Sequence, residues 1–212
     1  MGRINKGILG GFSGKVGTVV GGNWKGIDYM RSKANRSNTE ASASQLVQQL
    51  KFSLAIRFAS SMSALLALGF RNYANRQTGM NAAVSYILKN AIDGSYPNFS
   101  ILYADVLVSR GDLPNVLSPS VTMAAGNLLT YSWTDNSGVG IAKATDRMIL
   151  AAFCPATNQC IYTTGSASRG ALTDALNIST FNGQLVQTYI GCISEDGRNI
   201  ASSIYTGQVD LT

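Results

Sequence analysis

The first 36 residues carry the side chains whose types and spacing best suit binding to a charged partner. Basic residues alternate there with glycines and with two aromatic residues: Lys15, Trp24, Lys25, Tyr29, Arg31, Lys33 and Arg36. Lysine and arginine on such a segment can neutralise the phosphates of a nucleic acid without reading its bases. The same side chains can instead lie across an acidic surface of a neighbouring subunit, which is the interpretation we favour. A solvated basic face without a partner is the third possibility.

The spacing of the glycines does not support a nucleotide-binding loop. A Walker A loop requires G-x-x-x-x-G-K-[ST], but Gly14-Lys15 is followed by Val16, which has no hydroxyl group for magnesium. We predict no helix directly after these glycines, so no helix N-terminus is available to bind a phosphate. A dinucleotide-binding turn fails in the same way, because it needs a strand and then a helix.

The composition and the carboxylates argue against an enzyme. The chain has no histidine, which is the commonest general base and the usual partner of a nucleophilic serine or cysteine. Five carboxylates lie in predicted turns or at predicted strand ends: Asp135, Asp146, Glu195, Asp196 and Asp210. Aspartates in turns usually accept hydrogen bonds from their own backbone. We therefore predict no catalytic residues and no cofactor.

The three cysteines, Cys154, Cys160 and Cys192, indicate a reducing compartment. Their odd number argues against the disulfide framework of a secreted protein. Cys154 and Cys160 flank the segment PATNQ, and we expect them to face each other across a hairpin. Cys-x5-Cys is not a usual zinc spacing, and the chain offers no histidine ligand. We predict reduced, structural cysteines and no bound metal; a redox-sensing pair is the alternative.

Charged residues are few and unevenly distributed along the 212-residue chain. They make up 13% of the sequence, against about 25% in a typical soluble domain. Residues 1–90 hold 12 Lys and Arg against two acids, whereas residues 91–212 hold five against nine. A basic half joined to an acidic half indicates a polyanionic partner or head-to-tail self-association. The low overall charge suits a surface that partners largely cover.

Residues 1–36 are predicted to form a glycine-rich arm with a β-hairpin. Nine glycines lie in the first 26 positions, and β-forming residues lie on both sides of Gly21-Gly22-Asn23. This pattern predicts strands at about residues 15–20 and 24–31, with a turn at those three residues. An isolated two-stranded hairpin is marginally stable in water. The hairpin must therefore dock on its own domain or on a neighbour.

Residues 37–95 are predicted to form two amphipathic helices. One apolar stripe has a helical spacing and predicts a helix of about six turns. Its members are Leu46, Leu50, Leu54, Phe58, Met62 and Leu65. A second helix is expected at about residues 79–91, ended by Gly94 and Tyr96-Pro97. The longest apolar stretch, near residues 54–68, is too short and too polar to span a bilayer, so we predict no membrane partner.

Residues 96–212 are predicted to form a β-sandwich. Six strand-like segments recur between turn sequences: SILYADVLVSR, LLTYSWTD, RMILAAF, CIYTTG, LVQTYIGCIS and SSIYTGQVDL. Their spacing predicts seven or eight antiparallel strands of immunoglobulin or fibronectin type, with Trp133 as the central core aromatic residue. We expect this domain to fold independently. The whole chain is then an α+β protein of three regions, residues 1–36, 37–95 and 96–212.

The segment GGFSGKVGTVVGGNWKGIDYMRSK resembles the opening of an uncharacterised domain-of-unknown-function family from Bacteroidota and their phages and mobile elements. The later pattern from LVSRGDL through SWTDNSG to SIYTG extends the resemblance over nearly the whole chain. Ala34 departs from the family pattern, in which proline follows MRSK. The resemblance implies an intracellular, phage-like setting and a strand-rich C-terminal domain, and it supplies no catalytic residues.

These observations together predict a non-enzymatic structural protein, a virion or phage-derived assembly subunit. The arm would contact a neighbouring subunit, in a homo-oligomer or with other structural proteins. The main alternative is a nucleic-acid-associated protein that lies on the phosphate backbone through residues 1–90. A small-molecule-binding sandwich enzyme stays open as a third hypothesis. The start, MGRINKG, has no apolar signal region, so we expect synthesis in the cytoplasm without secretion by a signal peptide.

Overall fold

The computed structural model describes residues 3–4, 11–24, 26–34 and 40–211. The chain divides into two compact units, residues 1–42 and residues 43–212. The first unit is a β-sheet, and the second contains both helices and antiparallel sheets. The predicted α+β class is therefore confirmed.

The first unit is an antiparallel sheet in which the strands follow one another in chain order. Its strands are β1 (Arg3–Ile4), β2 (Phe12–Val16), β3 (Val19–Trp24) and β4 (Ile27–Ser32). The predicted turn at residues 21–23 is wrong, because these residues lie inside β3. The turns instead contain Gly17 and Gly26, whose φ angles of 58° and 83° are the left-handed values that tight hairpin turns require.

Aromatic rings explain why two consecutive glycines lie inside a strand. A Cβ atom on Gly21 would overlap the Phe12 carbonyl oxygen and lie 2.7 Å from Cδ2 of the Phe12 ring, and one on Gly22 would lie 2.9 Å from the Tyr29 hydroxyl oxygen. Each glycine thus leaves space for a ring to lie against the backbone of β3, one ring on each face. The glycines serve close packing of side chains on the strand, and not chain reversal.

The second unit begins with three helices, α1 (Ala43–Ser60), α2 (Ser63–Gly69) and α3 (Gly79–Asn90). The prediction of α3 is confirmed, and the Thr78 hydroxyl caps its start by accepting the Asn81 N–H at 3.2 Å. The predicted six-turn helix is wrong, since it breaks between α1 and α2. The Ser60 and Ser61 hydroxyls donate to backbone carbonyls of α1, at 2.7 Å each, which competes with further helical bonding.

The break also bears on membrane insertion. In the part of the chain that the structure describes, no single helix is long and apolar enough to span a bilayer. α1 and α2 together meet the length and composition for a span, but they are bent by 91° at the break. Phe58, Leu65 and Leu66 of this pair are buried in the protein core.

The strands of the second unit form two larger sheets and one hairpin. Their bounds are β5 (Ile92–Ser95), β6 (Asn98–Ile101), β7 (Leu117–Ala124), β8 (Leu128–Thr134), β9 (Arg147–Cys154), β10 (Gln159–Ser168), β11 (Thr173–Asn177), β12 (Leu185–Ile193) and β13 (Ile204–Asp210). One sheet has the order β10-β9-β12-β13, the other β11-β8-β7, and β5 pairs with β6. Five of the six predicted segments are strands. The sixth, SILYADVLVSR, contains only the last two residues of β6 and is not a strand beyond them. The strands β7 and β11 were not predicted.

The β10-β9-β12-β13 sheet is covered on both faces. Met148 and Leu150 belong to the core cluster that also contains Tyr131 and Trp133 of β8. Alternate residues of β9, among them Phe153, instead belong to the cluster that contains the buried side chains of the helices. Helices, sheet and sheet thus form three layers. The domain boundary expected at residues 95/96 stays a prediction.

A buried ion pair holds one end of these two sheets. Arg169 is fully buried, and its Nη2 lies 3.1 Å from Oδ2 of Asp146 and donates to the Pro114 carbonyl at 2.7 Å. Its Nη1 donates to the side-chain oxygen of Asn136. The Arg169 carbonyl accepts the indole N–H of Trp133 at 2.7 Å, so the predicted central aromatic residue is buried and hydrogen-bonded.

The three-layer core predicts that a fragment of residues 96–212 does not fold as the full chain does. Without the helices, Ile149, Ala151, Phe153 and Tyr189 lose their cover, and each large apolar side chain contributes about 1.5–3 kcal/mol when buried. We expect a broad thermal transition by circular dichroism and strong binding of a hydrophobic dye. A transition as sharp as that of the full chain would contradict this expectation and support the independent sandwich predicted from the sequence.

Replacement of the buried arginine should be costly. Arg169→Met leaves the Asp146 carboxylate buried without its partner, which typically costs about 3–5 kcal/mol. Urea denaturation should give a lower midpoint for this variant, and Arg169→Met/Asp146→Leu should recover part of the loss. The control is Arg198→Met, because the Arg198 side chain is 86% exposed and its Nε lies 3.8 Å from Oδ2 of Asp196. Exposed ion pairs of this kind contribute little to stability. Equal midpoints for both single variants would contradict a structural role for the buried pair.

Candidate interaction surface of the N-terminal sheet

The structure describes five of the seven predicted contact residues, and all five lie on or next to the N-terminal sheet. Lys15 is in β2, Trp24 ends β3, and Tyr29 and Arg31 are in β4. Lys33 follows β4 directly, and its N–H donates to the Thr18 carbonyl at 2.7 Å. Lys25 and Arg36 lie outside the described residues.

The register of the strands places these five side chains on one face. Directly paired residues share a face, and faces alternate along each strand. Lys15 pairs with Val20, Val20 pairs with Arg31, and Trp24 pairs with Ile27. Tyr29 and Lys33 lie two residues from Arg31 and therefore have the same orientation. We call this surface the basic–aromatic face; its members are Lys15, Val20, Trp24, Ile27, Tyr29, Arg31 and Lys33.

The basic–aromatic face has a charged end and an apolar end. Lys15, Arg31 and Lys33 lie near the turn that contains Gly17, whereas Trp24 and Ile27 flank the turn that contains Gly26. The two ends are four residues apart along β4, which corresponds to about 14 Å. A ligand that bridges them must offer both negative charge and an apolar or aromatic group.

The opposite face carries the acidic residue of the sheet. The Asn23 side-chain amide donates to Oδ1 of Asp28 at 2.7 Å, and Phe12 covers Gly21 on this side. The two ion pairs formed among the described residues both lie in the second unit. The positive charges of Lys15, Arg31 and Lys33 are therefore not neutralised by a carboxylate within the described part of their own sheet.

The N-terminal sheet does not bury its own apolar side chains. Among residues 11–24 and 26–34, Gly21 alone is buried. Trp24, Ile27 and Tyr29 are 53%, 64% and 46% exposed. A two-layer fold normally covers such side chains with a second element, and the described residues of this unit contain no such element.

Three of the five carboxylates that could have served acid–base chemistry, Asp135, Asp146 and Asp196, accept hydrogen bonds from groups close to them in sequence. Oδ1 of Asp135 accepts the Ser137 N–H at 2.8 Å, and Oδ2 of Asp146 accepts the Lys143 N–H at 2.8 Å. Asp196 accepts the Ser194 hydroxyl at 2.6 Å, and this hydrogen bond lowers the pKa of its carboxyl group. The predicted bonding of turn aspartates to nearby backbone is confirmed for Asp135, Asp146 and Asp196, the last of which accepts the Arg198 N–H at 3.0 Å. Sequence analysis missed Arg169, which no local pattern distinguishes from a surface arginine.

The cysteines are free thiols in the core of the second unit. Cys160 pairs with Phe153 and Cys154 with Gln159, so the Cys154 and Cys160 side chains lie on opposite faces of the sheet. The expectation that they face each other is therefore wrong, because Cys154 pairs with Gln159, the residue before Cys160. Burial raises the pKa of Cys160 to about 12 and that of Cys192 to about 11, so both remain protonated near neutral pH. No cluster of three metal-ligating side chains occurs in the described ranges.

Comparison with known proteins identifies a family but no activity. No curated protein matches the chain. The family model described as "Family of unknown function (DUF6266)" matches residues 11–207, which include the whole described part of β2 to β4 and nearly all of the second unit. The chain belongs to this family of unknown function.

Proposed function

We propose that this protein is a non-enzymatic assembly protein whose N-terminal sheet binds a neighbouring structural subunit through the basic–aromatic face. The observation that carries the proposal is the exposure of Trp24, Ile27 and Tyr29 on a sheet with no second layer of its own among the described residues. The resemblance of the N-terminal motif supports the more specific proposal of a phage virion or a phage-derived particle. The basic charge supports an acidic contact surface on the neighbour.

The energetics of the sheet support a partner. Burial of a large apolar side chain contributes about 1.5–3 kcal/mol, and this contribution is largely missing for Trp24 and Ile27 in the isolated sheet. Ordering a glycine-rich segment costs more conformational entropy than ordering other residues. A neighbour that covers the face supplies the missing burial. Exposed aromatic and arginine side chains together are also the composition of the central part of protein interfaces.

The second unit suits the role of a rigid body in an assembly. We propose that its two larger sheets are of immunoglobulin or fibronectin type, and the strand order supports this. Taken from β7 to β13, the first, second and fifth strands form one sheet, and the third, fourth, sixth and seventh form the other. Constant-type immunoglobulin domains differ in that their fourth strand pairs in the first sheet.

A nucleic-acid partner is the second candidate, and one observation favours it. Trp24 and Tyr29 are exposed on the same face as Lys15, Arg31 and Lys33. Single-stranded nucleic acids bind to surfaces that combine aromatic rings for base stacking with basic side chains for phosphates. This candidate would bring the phosphate backbone to residues 1–90, and it predicts nucleic-acid retention without a change in oligomeric state.

Deletion of residues 1–42 tests the assembly proposal. The second unit contains both core clusters, so the deleted chain should stay folded by circular dichroism. Multi-angle light scattering should report a large species for the full chain and a smaller one for the deletion. If the two proteins have the same number of subunits, the N-terminal sheet does not mediate assembly.

Charge and apolar variants separate the two contributions to binding. Arg31→Glu and Lys33→Glu should weaken assembly, and added salt should mimic them, because exposed charges are screened within about 8 Å at physiological ionic strength. Trp24→Ala should also weaken assembly, through lost apolar burial, with little dependence on salt. Arg198→Glu is the matched control, since Arg198 is exposed on the second unit.

The same variants discriminate the nucleic-acid candidate. If the face binds phosphates, each charge reversal should reduce the slope of log affinity against log salt by about one. Binding of a fluorescent single-stranded oligonucleotide at several salt concentrations measures this slope. Unchanged particle size and unchanged oligonucleotide binding in all variants would contradict both candidates.

A further inference from the structure

The outer edge of β4 is open for pairing with another strand. β4 is the last strand in the order of its sheet, so one side of its backbone has no neighbouring strand among the described residues. All six residues from Ile27 to Ser32 are exposed, and their register with β3 contains no bulge. Natural edge strands are usually protected by charged side chains, especially lysine, by proline or by a bulge. β4 contains no proline, no lysine and no bulge, and its two charged side chains, Asp28 and Arg31, have opposite signs.

The hairpin geometry determines which backbone groups point outward. Trp24 and Ile27 are paired directly and only two positions separate them in the sequence, so they exchange both of their hydrogen bonds. Hydrogen-bonded and non-hydrogen-bonded pairs alternate from there. The N–H and C=O groups of Ile27, Tyr29 and Arg31 therefore point to β3. Those of Asp28, Met30 and Ser32 point to the open edge.

We propose that β4 pairs antiparallel with β4 of a second copy, with the two-fold axis between the two Met30 residues. This inference rests on the proposed assembly function and names a contact for it. In this register Tyr29 lies opposite Arg31 of the second copy, on the basic–aromatic face, where a guanidinium can contact the ring. Asp28 lies opposite Ser32 of the second copy, on the other face, where the hydroxyl can donate to the carboxylate.

Neighbouring registers are less favourable. The outward groups alternate along the strand, so the register can change only in steps that place residues with outward-pointing backbone groups opposite one another. One such step places Arg31 directly opposite Arg31 of the second copy, which is destabilising. The opposite step places Tyr29 opposite Tyr29 and loses both complementary pairs. The strand is thus complementary to itself in one register.

This pairing would extend the basic–aromatic face. Residues directly opposite each other in an antiparallel pair lie on the same side of the sheet. The two copies of the face therefore lie side by side on one continuous sheet. A neighbouring subunit would then contact a surface twice as wide as that of a single chain, and the open edge of β4 would be closed.

A single backbone variant in the full-length chain tests the pairing. Met30→Pro removes the outward N–H and leaves the bonds to β3 intact, since proline is tolerated where an edge N–H points away from the sheet. We expect at least a tenfold weaker self-association by analytical ultracentrifugation. Met30→Ala is the matched control, because it keeps the N–H and removes the exposed side chain, and it should retain the association.

Amide hydrogen exchange of the unmodified chain by NMR is the second measurement, and it does not depend on the folding of a variant. The Met30 N–H should exchange as slowly as the N–H groups of Tyr29 and Arg31. Fast exchange at Met30 beside slow exchange at those two residues would overturn the pairing. Self-association of Met30→Pro equal to that of Met30→Ala would also overturn it. If deletion of residues 1–42 still reduces the particle size, the assembly function survives this failure; if it does not, both proposals fail.

Discussion

The organisation of the second unit depends on one constraint, the need to cover both faces of the β10-β9-β12-β13 sheet. β9 and β12 are buried along almost their whole length, so alternate residues point to two different apolar layers. The helices form one layer and β8 with its neighbours forms the other. Neither layer can be removed without exposing the central sheet, and residues 43–212 form one compact unit. The buried Arg169–Asp146 pair lies at one end of its two larger sheets.

The N-terminal sheet, in contrast, is not covered by a second layer from the described residues of its own unit. Its strands are paired and its glycines are matched to the Phe12 and Tyr29 rings, yet the described residues of the unit provide no layer to cover the sheet. The strand register determines the composition of this surface, since it places Lys15, Arg31 and Lys33 with Trp24 and Tyr29 on one face and leaves Phe12 and Asp28 on the other. An uncovered and ordered sheet of this composition is the physical basis for proposing that its second layer is another molecule.

Sequence analysis predicted the elements with strong local signals, such as the strand-forming segments of β8, β9 and β12 and the apolar stripe of α3. It failed where a distant residue decides the outcome. Gly21 and Gly22 indicated a turn because two consecutive glycines are typical of turns. The Phe12 and Tyr29 rings that cover them belong to other strands, and the local sequence does not reveal them. The weakly apolar β11 was missed for the same reason, since it is defined by its pairing with β8.

The candidate surface was also predicted only as far as local sequence allows. Its residues were identified by type, but their common face depends on a register that the misplaced turn would have shifted. Arg169 could not have been distinguished from a surface arginine, because nothing next to it in sequence indicates that Asp146 and Asn136 surround it.

The central claim, that the N-terminal sheet is completed by another molecule, is tested most directly by hydrogen–deuterium exchange over a dilution series. The account predicts that protection of residues 11–34 falls on dilution while that of β9 and β12 stays constant. Protection of residues 11–34 that does not depend on protein concentration would contradict it.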